Sequence, residues 1–418
     1  MHSTSPAAPA GTHAHSSTSV EDHAALVREL LAPAVARTTD PDSFQAVGLA
    51  DALGRVTAVA VTSPVDLPLF RNSQMDGFAV HTADLHTLPA TLPVVGEVAA
   101  RPGNPAALVA GTAVRIMTGA PVPDDADAII PVEDTSVATS LGIESVTITR
   151  GRAIGEYVRD RGSDVSAGTE LLPAGLRLAP RHLAVLAAAG IATVTVRPRP
   201  RVAVLTTGAE LVAPGEVAGA GQVFDANSIA LTSAVRAIDA EVSFVARVVD
   251  DHAIMLAALR EAAAASDIVL TSGGISKGEY EVVREVLGPL GARVGHIAMQ
   301  PGGPQTTAVF DGVPVISFPG NPVSTQISFE VFVAPILREV AGLPAATRPV
   351  LRLVHDIRSV PGKRQFLRGR TLGDGRVEQV AGPGSHLVAG LAASDVLIDV
   401  PTETLDMKAG DTVETWQL

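Results

Sequence analysis

From Arg201 onward the apolar residues switch repeatedly between strand and helix period, and this alternation constrains the fold more than any other feature of the chain. "RVAVLTT" (201–207) is a buried-strand run. "NSIALTSAVRAID" (227–239) carries Leu231, Ala234, Val235 and Ile238 at helical spacing, and "EVSFVARVV" (241–249) returns to strand. A helix around 252–265, the strand "DIVLTS" and a helix with Val282, Val283, Val286, Leu287 and Leu290 follow. Strands in "VGHIAMQ" and "VPVISFPG" and a helix from 321 close the unit. Such βαβ alternation over about 140 residues predicts a three-layer α/β domain with a mostly parallel sheet. Its ligand is expected at the carboxyl ends of the strands.

The flanks read differently. A short helix is predicted over about 20–32, with Ser19 as N-cap, Leu26, Leu30 and Leu31 on one face, and an end near Pro33. Between about 44 and 196, short apolar runs separated by Gly, Pro and Asp turns read as β-rich, with one helical stretch near 180–190. "RPRPR" (197–201) alternates arginine with proline and forms a stiff boundary. Beyond about 347, "LRLVHDI", "VLIDV" and "TVETWQL" alternate without helical periods, which predicts a small all-β barrel or sandwich.

Composition narrows the function. A net charge of −13 and 3% aromatic residues argue against general nucleic-acid binding, which needs a basic surface and stacking rings. The chain has no cysteine, so thiolate sites and disulfides are excluded, which fits a cytoplasmic setting, and any metal must be held by oxygen or histidine. The first nineteen residues lack a charged n-region and an apolar h-region and read as a flexible tail. The longest apolar run, "LAVLAAAGIA" (183–192), is about half of the ~20 residues needed to span a bilayer, so no membrane partner is expected.

Two glycine loops end strands of the α/β domain. In "TSGGISKGE" (271–279), Gly273 and Gly274 allow close backbone approach, Ser272 and Ser276 offer hydroxyl donors, and Lys277 adds charge. The loop matches neither GxxxxGK[ST] nor GxGxxG, and alone it reads as a turn with a surface lysine. The neighbouring strand ends in "SFPGNPVSTQ" (317–326), where Asn321 suits an N-cap, Pro322 suits the first helical position, Gly320 admits a ligand and Ser324 adds a hydroxyl. Two such loops on one edge point to a phosphate-bearing ligand. Carboxylates follow the same edge: Asp225, Asp250, Asp251 and Glu281 are helix caps when taken singly, and as a group they suit a hydrated Mg²⁺ beside phosphates. In the β-rich half, Asp76, Thr118 and Asp164 sit among turn residues, and Arg150, Arg152, Arg159 and Arg161 form a candidate anion platform that competes with ordinary surface charge.

Taken in order, "SPVDLPLFRNSQMDGFAV", "VRIMTGAPVP", "RDRGSDVSAG", "TTGAEL", "DANS", "TSGGISKGEYE" and "FPGNPVS" resemble the MoeA family of molybdopterin molybdenumtransferases, related to the E domain of eukaryotic gephyrin. The resemblance covers about residue 20 to 418. It implies insertion of molybdate into adenylylated molybdopterin with a divalent cation such as Mg²⁺, releasing AMP, in a cytoplasmic homodimer whose cleft is completed by the partner subunit. It implies a tail at 1–19, an elongated domain made of 20–60 and 160–197, an inserted β-rich domain at 61–159, a molybdopterin-binding α/β domain at 198–346 and a barrel at 347–418. Asp76, Thr118, Asp164, Asp225 and Glu281 match catalytic positions, with Asp225, Asp251 and Glu281 as metal candidates. Arg159, Arg161, Ser272, Gly273, Gly274, Ser276, Lys277, Pro319, Gly320, Asn321, Pro322 and Ser324 match or border the substrate loops.

Two departures stand out. Relatives commonly have aspartate where this chain has Glu281, and a lysine-flanked "KPGKP" where it reads "MQPGGPQ", with Gln300 and Gly303 in place of both lysines. Lys277 is the sequence's candidate to restore one cationic contact. A pterin-binding scaffold without catalysis is the alternative; a MogA-like adenylyltransferase leaves the β-rich regions and barrel unexplained.

Overall fold

The computed structural model describes residues 17–275 and 282–418. The chain forms two compact units: one takes the residues up to Gln45, Gly54–Val56 and Arg197–Leu418, the other Ala46–Leu53 and Thr57–Val196.

The first unit is built on a six-stranded sheet. In chain order its elements are α1 (Val20–Thr39), β1 (Arg201–Thr207), α2 (Ala226–Ala237), β2 (Glu241–Val248), α3 (His252–Ala265), β3 (Ile268–Ser272), α4 (Val282–Leu287), β4 (Arg293–His296), β5 (Pro304–Phe310), β6 (Val313–Phe318) and α5 (Pro322–Ser328). The strand order is β2-β1-β3-β6-β5-β4; the first four are mutually parallel, and β5 alone runs opposite, pairing antiparallel with both β6 and β4. Alternate residues of β1 serve opposite faces: Val202 and Val204 join Leu231, Val235 and Phe332 in one core, while Ala203 and Leu205 join Met255, Leu259 and Val283 in the other. This is the three-layer arrangement that the alternating periods predict. β5 was not legible as a strand, because its buried positions are polar: Gln305, Thr306 and Thr307 are each at most 2% exposed.

α1 runs past the expected stop, with Pro33 inside it. A mid-helix proline costs about 3 kcal/mol, and burial of Leu31 and Ala34 on either side of it offsets that cost. The helix contributes Val20, Val27, Leu31 and Ala34 to the core that contains β1 and β6, so residues 20–45 pack with the α/β unit. An apolar stripe does not reveal which surface it will cover. Thr18 bridges Ile297 and Ser19 caps α1, so Ser17–Ser19 are part of this structure and not of a tail; the rest of the expected tail lies outside the described residues.

His23 of α1 is 4% exposed, and its ring meets Phe332 edge-on at 4.6 Å. Its Nε2 has no partner among the described residues. Burial pushes its pKa from 6.5 down to about 4. The unfolded chain therefore binds the proton first as pH falls. The stabilisation is complete above pH 6.5 and declines by roughly 3 kcal/mol by pH 4. In His23→Leu, the loss of stability between pH 7 and pH 4.5, read from urea unfolding, is expected to shrink by about 2 kcal/mol; an unchanged loss would place the proton uptake elsewhere.

The carboxyl-terminal part of this unit is a closed five-stranded barrel: β7 (Val350–Leu353), β8 (Arg364–Leu372), β9 (Arg376–Gln379), β10 (Val396–Val400) and β11 (Thr412–Gln417). The order is β8-β9-β7-β11-β10, and β10 pairs back onto β8. Between β9 and β10 a five-residue helix, α6 (Val388–Ala392), interrupts the expected all-β pattern. Met299–Gln300 pairs with Arg364–Gln365 and ties the barrel to the α/β layer.

The second unit contains a six-stranded sheet with the order Ala128–Pro131, Gly77–Val80, Ala113–Ile116, Ala90–Val98, Ile143–Ile148, Thr135–Ser140. Its other core gathers Ala52, Leu172, Leu178, Leu186, Val194 and Val196 around the helix Pro180–Ala188.

Candidate active site

In the α/β unit the chain leaves β1 toward β2 and then crosses back past β1 to β3, so the loops that follow β1 and β3 diverge. This is the switch point at which open α/β sheets hold ligands. A cavity of about 1200 Å³ opens there, lined by Thr207, Asp225, Asp250, Gly273, Pro319 and Asn321 among others.

The two glycine loops meet through a buried network. Asn227 Nδ2 donates to Ser272 Oγ at 2.8 Å and to the Gly320 carbonyl at 2.7 Å, and Thr325 Oγ1 donates to the Pro319 carbonyl at 2.6 Å while lying 3.0 Å from Ser272 Oγ. Ser272, which is 1% exposed and lines the cavity, thereby joins the loops to each other. Gly273 has φ +96°, and a Cβ there would stand 2.5 Å from the Thr207 carbonyl oxygen, so only glycine closes β3 against β1. Gly274, Gly320, Pro322 and Ser324 also line the cavity. Asn321 takes the N-cap position of α5 but makes no capping bond with its side chain. Ser276, Lys277 and Glu281 lie outside the described residues.

The carboxylates separate into two roles. Asp225, 4% exposed, accepts from Ser228 N at 3.0 Å and from Thr206 Oγ1 at 2.7 Å. Asp250 accepts from Thr207 Oγ1 at 2.8 Å and from Ala209 N at 3.1 Å. Both line the cavity. Asp251 does not; it caps α3 by accepting from Ala253 N and Ile254 N, each at 2.9 Å. Among the described residues no three His, Asp or Glu side chains could hold a metal by themselves. Mg²⁺ commonly takes one or two carboxylates and completes its shell with water and substrate phosphates. Asp225 and Asp250 keep free lone pairs and fit that habit.

The cavity also has cationic walls that sequence reading did not single out. Lys363, from the start of the barrel, lines it, and its ammonium has no partner among the described residues. Lys408, by contrast, is tied to Asp356 at 3.0 Å. His296 and His386 line the cavity as well. Gln300 accepts from Gln365 Nε2 and brings no charge. A Cβ on Gly303 would lie 2.8 Å from His296 Cε1, so the ring of His296 stands where a side chain at 303 would begin.

In the second unit, Thr118 donates to Asp76 Oδ1 through its N–H at 2.6 Å and its hydroxyl at 2.8 Å. These bonds, the backbone one foremost, hold the Asp76 carboxyl below its ordinary pKa. Gly77 must lack a side chain, since a Cβ would sit 2.1 Å from the Ile130 carbonyl oxygen. The arginines are largely engaged: Arg152 pairs with Asp134 and Glu156, and Arg161 with Asp66 at 2.7 Å. Arg159 donates to Asn72 Oδ1 at 3.2 Å and has no carboxylate partner among the described residues. Asp164 is exposed, and its N–H donates to the Leu67 carbonyl.

Three family models match consecutive parts of the chain: the MoeA N-terminal region, domains I and II, over residues 18–190; a probable molybdopterin binding domain over 203–339; and the MoeA C-terminal region, domain IV, over 350–418. Molybdopterin molybdenumtransferase 2 of Mycobacterium tuberculosis H37Rv is 40% identical over 414 residues, covering 96% of this chain and 99% of that protein. The molybdopterin molybdenumtransferase of Nostoc sp. PCC 7120 is 35% identical over 417 residues, covering 96% and 94%. Among solved structures, the molybdopterin biosynthesis MoeA protein of Pyrococcus horikosii superposes with a TM-score of 0.79 at 31% identity, covering 96% of this chain and 99% of that one. Sequence and architecture agree from one end of these relatives to the other, and the chain belongs to the MoeA family.

Proposed function

We propose that the chain is a molybdopterin molybdenumtransferase of molybdenum cofactor biosynthesis, which inserts molybdate into adenylylated molybdopterin and releases AMP. The observation that carries this reading is the convergence, in one cavity of about 1200 Å³, of two linked glycine loops, the carboxylates of Asp225 and Asp250, and the ammonium of Lys363, which has no partner among the described residues. That volume suits a dinucleotide-sized ligand better than an isolated oxyanion.

In this reading the loops around Gly273 and Gly320 let backbone approach the pterin and phosphate groups, while Lys363 attracts the oxyanion and orients it toward the dithiolene. Asp225 and Asp250 would hold Mg²⁺ or another divalent cation, which neutralises charge growing on the leaving phosphate. The exposed Asp76–Thr118 pair, with Asp164, Arg159 and Arg161, would complete the cleft of a partner chain in a homodimer, and the reaction is placed in the cytoplasm. Among the described residues no helix is long and apolar enough to cross a membrane.

Purified protein supplied with adenylylated molybdopterin, Mg²⁺ and molybdate is expected to release AMP in proportion to molybdate until saturation. Pterin binding with no AMP release at any molybdate concentration would favour the non-catalytic alternative.

A further inference from the structure

A second cavity, of about 340 Å³, lies between α2, α5 and α6; among the described residues only Val388 lines both it and the active cavity. Its walls include Ala234 and Leu231 of α2, Ile327 of α5, Phe329, and Leu391 of α6. Leu231, Ile327 and Phe329 are each 1% exposed, so the space is cut into the core and is not a surface crease. No lysine, arginine or histidine among the described residues lines it. The donors of its polar walls are committed: Ser394 Oγ donates to the Gly390 carbonyl at 2.7 Å, and Gln326 Nε2 to the Pro322 carbonyl at 3.3 Å.

Glu330 is the exception. It is half-buried on the wall of this cavity, and its carboxylate has no hydrogen-bond partner among the described residues. Burial raises its pKa, and the charge of Arg338 offsets only part of that rise. Arg338 and Arg348 stand with Glu330 around a smaller cavity of about 80 Å³, but both are engaged elsewhere. Arg338 donates to the Pro344 carbonyl at 3.0 and 3.1 Å, while Arg348 pairs with Glu414 at 3.4 Å and lies 3.8 Å from the centre of the Trp416 ring. A carboxylate set against apolar walls without a donor is costly, and leucine or glutamine would be the stable choice.

The backbone at Glu330 is unusual as well. The residue lies in a π turn, Phe329–Val333, between α5 and the helix Ala334–Val340, and Ala334 N donates to the Phe329 carbonyl five residues back. Such turns are rare and occur frequently at functional sites. Phe329, Val331, Phe332 and Val333 are each at most 5% exposed, and Glu330 is the one polar member of the turn. An apolar cavity with one unengaged acceptor and no cation selects a ligand with an apolar body and a positively charged donor.

We propose that this cavity is a second ligand site, which takes a small amine with an apolar body: the body packs on Leu231, Ile327, Phe329 and Leu391, and the ammonium donates to the Glu330 carboxylate. The site does not depend on the reaction assigned to the active cavity.

The test uses the full-length protein and three probes that share one body: 4-phenylbutylamine, 4-phenylbutanol and 4-phenylbutyrate. Calorimetry is expected to show the amine binding at one site per chain, the alcohol binding at least about tenfold more weakly, and no measurable binding of the butyrate. In Glu330→Gln, which keeps size and shape, the amine should weaken by about tenfold or more while the alcohol stays within about threefold. Ala234→Phe, which fills the cavity from α2, should remove both. Asp225→Asn, in the active cavity, should leave the amine within about threefold of wild type. Each variant is first checked for folding by circular dichroism; should Ala234→Phe fail to fold, Glu330→Gln against Asp225→Asn carries the comparison. Equal affinity for amine and butyrate, or an amine affinity unchanged in Glu330→Gln, overturns the proposal. Amine binding lost in Asp225→Asn places the amine in the active cavity and overturns it too, and an amine affinity that weakens as protein concentration rises gives the cavity to a second copy of the chain, with the same result. Amine binding of the expected pattern by a protein that releases no AMP would remove the functional reading and leave this inference standing.

Discussion

Asp225→Asn is expected to lower molybdate-dependent AMP release by roughly a hundredfold or more without unfolding the chain. The substitution separates charge from shape. An asparagine oxygen can still accept from Ser228 N and so keep α2 capped. Its amide would face Thr206 Oγ1, a hydroxyl that can turn from donor to acceptor. What is lost is the negative charge at the carboxyl end of β1. The concentration of Mg²⁺ giving half-maximal activity should rise together with the fall in rate. The expectation also extends to the proposed dimer: if Asp76 serves a partner's cleft, mixing inactive Asp225→Asn and Asp76→Asn chains under conditions of subunit exchange should restore part of the activity. Wild-type turnover in Asp225→Asn would remove Asp225 from the mechanism.

Much of the α/β unit was legible because parallel strands buried on both faces leave continuous apolar runs, as in "RVAVLTT" and "DIVLTS", with helical periods between them. The limits of α3, His252–Ala265, agree with the helix expected around 252–265. Legibility failed where polar groups replaced apolar ones in the core, as in β5 with Gln305, Thr306 and Thr307. It failed again where tertiary burial overrode a local breaker, as at Pro33. The barrel's helix α6 is five residues long, too short to show a period.

The candidate site divides along the same line. Residues at strand ends, such as Gly273, Asp225 and Asn321, could be placed in advance because the rule for open sheets fixes where such loops meet. The cationic contacts could not. Lys363 is one of three lysines in the chain, but only the docking of the barrel over the carboxyl edge, through the pairing of Met299–Gln300 with Arg364–Gln365, brings it to the cavity. In the proposed function, a cation that "QPGGPQ" lacks comes from a residue sixty positions away from Gly303, and local sequence holds no signal of it. Asp251 shows the reverse case: next to Asp250 in sequence, it caps the start of α3 and does not line the cavity.

Asp267→Ala is expected to cost the α/β unit about 3 kcal/mol, the low end of the range for breaking a buried ion pair. Asp267 precedes β3, and its side chain is 4% exposed. It accepts from Arg201 N at 2.8 Å, from Arg201 Nη2 at 2.9 Å and from Arg37 Nη2 at 2.5 Å, so one carboxylate fastens the end of α1 to the starts of β1 and β3. Burial alone would raise its pKa, but the bonds from Arg201 and Arg37 outweigh burial and hold it below the ordinary value. The stabilisation is therefore complete above the unfolded carboxylate pKa and is lost as pH falls through the lower, folded value. Truncation strands two guanidinium groups, but their side chains are 31% and 40% exposed, and water softens the loss. The surface pair Arg28–Glu339, with exposures of 56% and 68%, sets the scale at the other extreme: Glu339→Ala should cost less than about 1 kcal/mol. Amide hydrogen exchange in β1 and β3, measured on both variants at pH 7, distinguishes them. Equal protection in the two would mean that the Asp267 clamp contributes no more than a surface pair, and that α1 is held to the sheet by its apolar stripe alone.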